Sequence, residues 1–207
     1  MEPLAVTLWS DFLCPWCWNA SLRLQEIQGE FGDAVRVTWK SYLLRPEPRP
    51  GRDLEKFRAY TRSWERPAAD EPRAAFRTWQ GDAGPPSHSV PAHVAAKAAG
   101  SHGAEAERAF RERLFLAYFS ESRDVSDAAT LRALWSEAGL PPGGFERTAD
   151  STLEARVRAE HAEALSLEAN GVPAVRVGES EFVLVGAQPI ETYRRWLRRS
   201  LEASIRA

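Results

Sequence analysis

Cysteine is almost missing from this chain: among 207 residues only Cys14 and Cys17 carry a thiol. That scarcity excludes the disulfide framework of a small secreted domain, and it makes the pair a reagent more than a staple. Lysine is nearly as scarce, with Lys40, Lys56 and Lys97 set against a large excess of arginine, which reads as a bias of composition and not as a patch. The net charge of −2 leaves no global basic field for nucleic acid or an anionic membrane. No apolar run approaches the ~18 residues needed to span a bilayer. The segment from Met1 to Val6 has neither a basic n-region nor a long apolar h-region, so no secretory signal is expected. The expected compartment is therefore the cytoplasm, where thiols are kept reduced and a CxxC pair is redox-active or metal-binding. What is present, 43% apolar and 27% charged residues, suits one sizeable core or a core domain with a large insertion.

Leu4 to Ser10 is rich in β-formers and bounded by Pro3 and Asp11, which predicts a short buried strand. Pro15 suits the first position of a helix that carries Leu22, Leu24 and Ile27 inward and exits at Gly29. Val35 to Lys40 alternates apolar and polar residues, a second strand, and its continuation through Leu44 meets the proline-rich run Pro46 to Pro50. From about Asp53 to Asn170 the spacing turns helical, with breaks at 81–86, 100–103 and 139–144, and predicts four to six helices. Ser126 and Asp127 are candidate N-caps there. Strands return at Val172–Val177 and Phe182–Val185 around a turn at 178–180. An amphipathic helix follows from Pro189 to Leu201, with Ile190, Tyr193, Trp196 and Leu197 on one face. The order βαβ, helical block, ββα is α/β and has the plan of a thioredoxin-like fold with a large all-helical insertion. The thioredoxin-like domain would comprise 1–52 and 171–207, and the inserted helical domain 53–170.

A thiolate, not a thiol, attacks a disulfide, and a free cysteine with a pKa near ~8.5 is mostly protonated at neutral pH. Cys14 stands where the helix opened by Pro15 begins, and unpaired backbone N–H groups and the helix dipole there favour an anion. Cys17, three residues on, shares its helix face and can close an intramolecular disulfide. Cys14 is then the attacking thiol and Cys17 the resolving one, with Pro15 and Trp16 restraining the loop and shielding the second sulfur. Val172-Pro173 opens the second half, where a cis peptide is tolerated. In this architecture it would face Cys14 and present backbone to an extended peptide. Asp11, three residues before Cys14, is either an electrostatic modulator or proton acceptor of the pair, or an ordinary strand-end aspartate.

Together, Ser10-Asp11-Phe12-Leu13-Cys14-Pro15-Trp16-Cys17, the Phe110-to-Tyr118 helix followed by Asp124-Val125, Gly171-Val172-Pro173 and Gly186-Ala187-Gln188 resemble the DsbA-like superfamily. The likeness is strongest to its FrnE-type branch of cytoplasmic oxidoreductases, and it runs over essentially the whole chain. It implies a thioredoxin fold with an inserted helical domain, a Cys14–Cys17 redox pair and a cis Pro173. No cofactor is implied beyond that pair, with glutathione or another low-molecular-weight thiol as a further reactant. The superfamily also holds 2-hydroxychromene-2-carboxylate isomerases and kappa-class glutathione transferases, which carry serine where Cys14 stands and use a bound glutathione thiol. Strongly oxidising periplasmic members resemble Cys-Pro-His-Cys. Trp16 occupies the histidine position here and cannot carry charge, so a less oxidising pair is expected.

Other readings of the residues stay open. The cysteines could form half of a structural zinc site with two of His88, His93, His102 and His161, although His88 and His93 lack the i, i+4 spacing of a ligand pair; no metal is expected. They could also be buried and inert. His93, on a predicted helix, is either a polar group lining a substrate pocket or a packing histidine. Trp16 reads as exposed, and Trp9, Trp18 and Trp39 as core. The leading function is thiol–disulfide exchange with a protein thiol or disulfide, or with a small-molecule thiol. Its rivals are a glutathione-dependent isomerase or transferase acting on an aromatic small molecule, and a non-catalytic thioredoxin-like binding module. Neither nucleic acid nor membrane is an expected partner, and a monomer or a homodimer is equally compatible with the sequence.

Overall fold

Strand β1 (Leu4–Ser10) lies in the middle of the sheet, and this explains why its end is buried without alternation: Leu8, Trp9 and Ser10 are all buried. The computed structural model describes residues 2–206. β1 runs parallel to β2 (Val35–Ser41), with Leu4 opposite Val35 and Ser10 opposite Ser41. On its other side it runs antiparallel to β3 (Ala174–Val177), which pairs antiparallel with β4 (Val183–Val185), so the order is β2-β1-β3-β4. A parallel pair needs a crossover, here α1 (Pro15–Phe31). α1 passes through Gly29, where an exit was expected, and ends at Gly32, whose φ of 52° is the left-handed conformation that lets its N–H return to the Gln28 carbonyl. A glycine inside a helix costs only about 1 kcal/mol, whereas a positive φ is open to few other residues.

Between β2 and β3 lie α2 (Leu54–Thr61), α3 (Glu65–Asp70), α4 (Val90–Gly100), α5 (Ala104–Phe119), α6 (Ala128–Glu137) and α7 (Ser151–Ser166). Asp53, Asp127 and Asp150 cap α2, α6 and α7 by accepting the N–H of Lys56, Thr130 and Thr152, each worth about 1 kcal/mol. The helical spacing expected throughout this region breaks down over 71–89, which is irregular. Pro72, Gly81, Gly84, Pro85 and Pro86 deny it a helix, and buried Trp79 anchors it through hydrogen bonds to the Gly81 and Ala83 carbonyls. β3 starts at Ala174 and not at Val172, because Pro173 has no N–H for the ladder. Phe182, expected in β4, instead donates its N–H to Ser180 Oγ within the turn. The last helix, α8 (Ile190–Arg206), runs past Leu201 and buries Tyr193 and Leu197.

Topologically the helices separate β2 from β3, but they share one core with the sheet. Phe12, after β1, contacts Trp39 of β2 and Phe115 of α5 at ring-centroid distances of 5.0 and 5.1 Å. At and after the end of β2, side chains take up backbone donors that have no strand partner. Ser41 N–H donates to Glu160 Oε2, Leu43 N–H to His161 Nδ1, and Leu44 N–H to Asp11 Oδ2 at 2.7, 3.2 and 2.6 Å. These bonds fix Leu44 beside the cysteines.

Candidate active site

The cysteines sit where β1 hands over to α1. Cys14 is the N-cap of α1, with extended backbone (φ −102°, ψ 115°) and Pro15 in the first turn, and the Cys17 N–H closes on the Cys14 carbonyl at 3.1 Å. Cys14 retains 6% of its surface and Cys17 none. Across the fold, the Cys14 thiol donates to the Val172 carbonyl at 3.4 Å. The Val172–Pro173 peptide is cis, and the Pro173 carbonyl accepts the Gly186 N–H at 2.7 Å. Thus Cys14, Cys17, Val172 and Pro173, spread over 160 positions of sequence, meet at one point.

Asp11 is fully buried, and both its carboxylate oxygens are occupied. Oδ1 accepts the Leu13 N–H at 2.7 Å and Oδ2 that of Leu44 at 2.6 Å, so this side chain clamps the cysteine loop to the chain leaving β2. Its own N–H points at Cys17 Sγ, 3.4 Å away. Burial raises the Asp11 pKa to about 6, against the opposing pull of Ser89 and the two backbone donors. Burial, then the neighbouring Cys14, pushes the Cys17 thiol up, so Cys17 holds its proton at neutral pH.

The displacement of Asp11 has a measurable consequence. Below pH 3.8 the group is protonated whether the chain is folded or not. Between pH 3.8 and about 6 the unfolded chain releases its proton first, so this group lowers stability as pH rises, by about 3 kcal/mol in full above pH 6. With Asp11→Asn as reference, the difference in unfolding free energy between the two proteins should tilt toward the variant by about that amount from pH 4 to pH 7. A difference that stays flat in urea unfolding would contradict the assignment.

A groove of about 320 Å³ opens over Cys14, with Leu13, Pro15 and Trp16 on one side and Leu44, Tyr60, Ser63, Arg66 and Pro67 on the other. Trp16 is 37% exposed, while Trp9, Trp18 and Trp39 are buried. Leu44 apart, the far wall comes from α2, α3 and the turn joining them, none of which carries a motif that sequence reading could single out. His93 requires a correction. It does not line the groove; it is 0% exposed, packed on Phe12 at 4.8 Å and Trp39 at 5.5 Å, with Nε2 4.0 Å from Asp11 Oδ2. The reason is α4 itself, buried from Ala92 to Ala99 between α5 and α7, which leaves no face for a pocket. Burial, followed by the charge of Lys97, holds the His93 pKa well below the ordinary value, so it is neutral. Among the described residues, no group of three or more His, Cys, Asp or Glu side chains is placed to hold a metal ion.

Sequence reading also missed Asn19 and Arg23, the second and third turns of α1. Asn19 donates to the Pro67 carbonyl at 2.8 Å and to Asp70 Oδ2 at 3.1 Å. Arg23, 4% exposed, donates to Glu71 Oε2, to the Gln188 carbonyl, and to both the carbonyl and Oδ2 of Asp70. These two side chains bolt the cysteine helix to the end of α3 that walls the groove.

The fold has solved counterparts. One is a probable DsbA oxidoreductase from Streptomyces coelicolor (26% identity, TM-score 0.76, covering 95% of this chain and 89% of that one). Another is the cytosolic disulfide reductase DsbM from Pseudomonas aeruginosa (21% identity, TM-score 0.75, 98% and 99% covered), also solved with GSH. A third is a 2-hydroxychromene-2-carboxylate isomerase (16% identity, TM-score 0.65, 97% and 98% covered). The family of DSBA-like thioredoxin domains matches residues 5–198. With that match across nearly its whole length, and with its Cys14–Cys17 pair at the start of α1, the chain belongs to the DSBA-like thioredoxin domain family of thiol–disulfide oxidoreductases.

Proposed function

We propose that this protein exchanges disulfides through Cys14, that Cys17 resolves the mixed disulfide, and that the substrate is a small thiol or disulfide or a protein thiol. The observation that carries the reading is the asymmetry of the pair. Cys14 lines an open groove and faces the Val172 carbonyl, whereas Cys17 is sealed and holds its proton. A partner can therefore reach only the first sulfur. Cys14 as thiolate attacks a sulfur of the substrate disulfide, a bond forms between them, and the other substrate sulfur leaves as a thiolate. Cys17 then passes its proton, directly or through water, to the substrate thiolate released in the first step, and attacks Cys14 Sγ. The Ser10 hydroxyl and the Asp11 N–H, both of which favour its thiolate, assist that step. The Cys14–Cys17 bond forms and the second substrate thiolate departs, so two electrons have passed to the substrate. Asp11 acts through the loop it clamps and through its backbone N–H.

Reduction of glutathione disulfide and of insulin by the pre-reduced protein, one turnover each, tests this reading. Stoichiometric formation of the Cys14–Cys17 disulfide supports it, and failure with both substrates would remove it. A glutathione-dependent isomerase would instead bind glutathione tightly and keep its activity in Cys17→Ser.

Trp16 sets a second expectation. With no ionisable group between the cysteines, the pair should be clearly more reducing than about −120 mV, the oxidising end of the known range. Trp16→His should move the potential upward. Equilibration in glutathione redox buffers measures both, and a wild-type value near −120 mV would defeat the argument.

A further inference from the structure

The groove over Cys14 carries a cation that nothing compensates. Arg66 of α3 lines it, and the lining contains no carboxylate. Arg66 makes no hydrogen bond or ion pair with any described residue; Arg36 and Arg62 are likewise without an ion pair, and what sets Arg66 apart is its place in the groove that holds Cys14. A second unmet donor follows the groove in sequence, outside its lining. Arg45, which follows groove-lining Leu44, has its Nη1 buried without a partner. Its positive charge reaches Asp11 and Arg52. Ser63 apart, the rest of the rim is apolar or aromatic: Trp16, Leu44 and Tyr60 are 37%, 47% and 53% exposed. A guanidinium in such a setting offers a planar fork of donors that matches a carboxylate. A volume of about 320 Å³ is that of a small-molecule site.

Resting on the exchange reading above, we infer that the substrate is a small disulfide bearing a carboxylate, and that Arg66 binds that carboxylate while one sulfur meets Cys14. The redox step is the one already balanced: the Cys14–Cys17 dithiol is oxidised, one substrate disulfide is reduced to two thiols, and no further reductant is needed for a single turnover. Arg66 is exposed and unpaired, so its replacement leaves the fold intact.

The test is single-turnover oxidation of the reduced protein by two probes, glutathione disulfide, which carries carboxylates, and 2-hydroxyethyl disulfide, which carries none. Arg66→Ala should lower the ratio of the two second-order rate constants about tenfold, the loss of one charge-assisted pair. Arg66→Lys should restore part of it, and raising the salt concentration should shrink the wild-type ratio. An unchanged ratio in Arg66→Ala overturns the inference. So does a dependence on Arg66 seen with insulin and not with glutathione disulfide, which would place the anion on a protein partner. If the wild type reacts with neither probe nor with insulin, the exchange reading fails first, and that outcome is distinct from an altered ratio.

Discussion

Cys14→Ser is expected to abolish disulfide exchange, by more than about 10³-fold in rate, while the protein keeps its fold. The large size of the effect follows from the geometry. Only Cys14 borders the groove, and Cys17, one helical turn further in, has no exposed surface and a thiol that burial keeps protonated. Cys17 therefore cannot substitute as the attacking group. Serine is close in volume to cysteine, and its hydroxyl can still donate to the Val172 carbonyl, so little stability is at stake. Rates with glutathione disulfide or insulin, alongside the urea midpoint of the variant, check both halves of this expectation. Substantial activity in a stable Cys14→Ser protein would mean that another group does the chemistry.

Arg23→Ala should be the most destabilising single change around the site, at about 3 kcal/mol. Removing one partner of a buried ionic cluster strands the rest. The Asp70 carboxylate would keep only Asn19, and the carbonyls of Asp70 and Gln188 would lose a charged donor. The loss is moderated at Glu71, which retains Arg73 at 2.6 Å. The control is Arg132→Ala. Its pair with Glu146 is exposed on both sides (56% and 68%), and surface pairs of that kind contribute 0–1 kcal/mol. Urea unfolding of the two variants should separate them clearly. Equal costs would show that the link between α1 and the end of α3 carries no special weight.

Much of the fold can be read from local pattern, because strands and amphipathic helices write their periods into the chain. The alternation at Val35–Lys40, the proline at position 15 and the apolar face of Tyr193, Trp196 and Leu197 each correspond to an observed element. Element ends were harder. Gly29 and Gly32 look alike in sequence, and only the positive φ at Gly32 distinguishes a helix exit from a tolerated interior glycine. The cysteine half of the site was legible because it is local, a strand running into a helix that opens at Cys14-Pro15. The opposite wall was not, since Tyr60 and Arg66 reach the cysteines only once α3 packs on α1, and Leu44 only through its bond to Asp11. The Asn19 and Arg23 anchors likewise look like ordinary helix residues until their partners some 50 positions away are known. For His93 a signal was present: α4 reads Val-Pro-Ala-His-Val-Ala-Ala-Lys-Ala-Ala, and a helix apolar everywhere but at His93 and Lys97 has no solvated face and is a buried helix.

The central claim, that Cys14 receives the partner and Cys17 resolves it, is tested most directly by trapping. Cys17→Ser, reduced and then mixed with glutathione disulfide, should accumulate one glutathione adduct, located on Cys14 by mass spectrometry of the digested protein. Cys14→Ser treated in the same way should remain unmodified, because Cys17 is sealed. No adduct in Cys17→Ser, or an adduct on Cys17 in folded Cys14→Ser, would contradict the account.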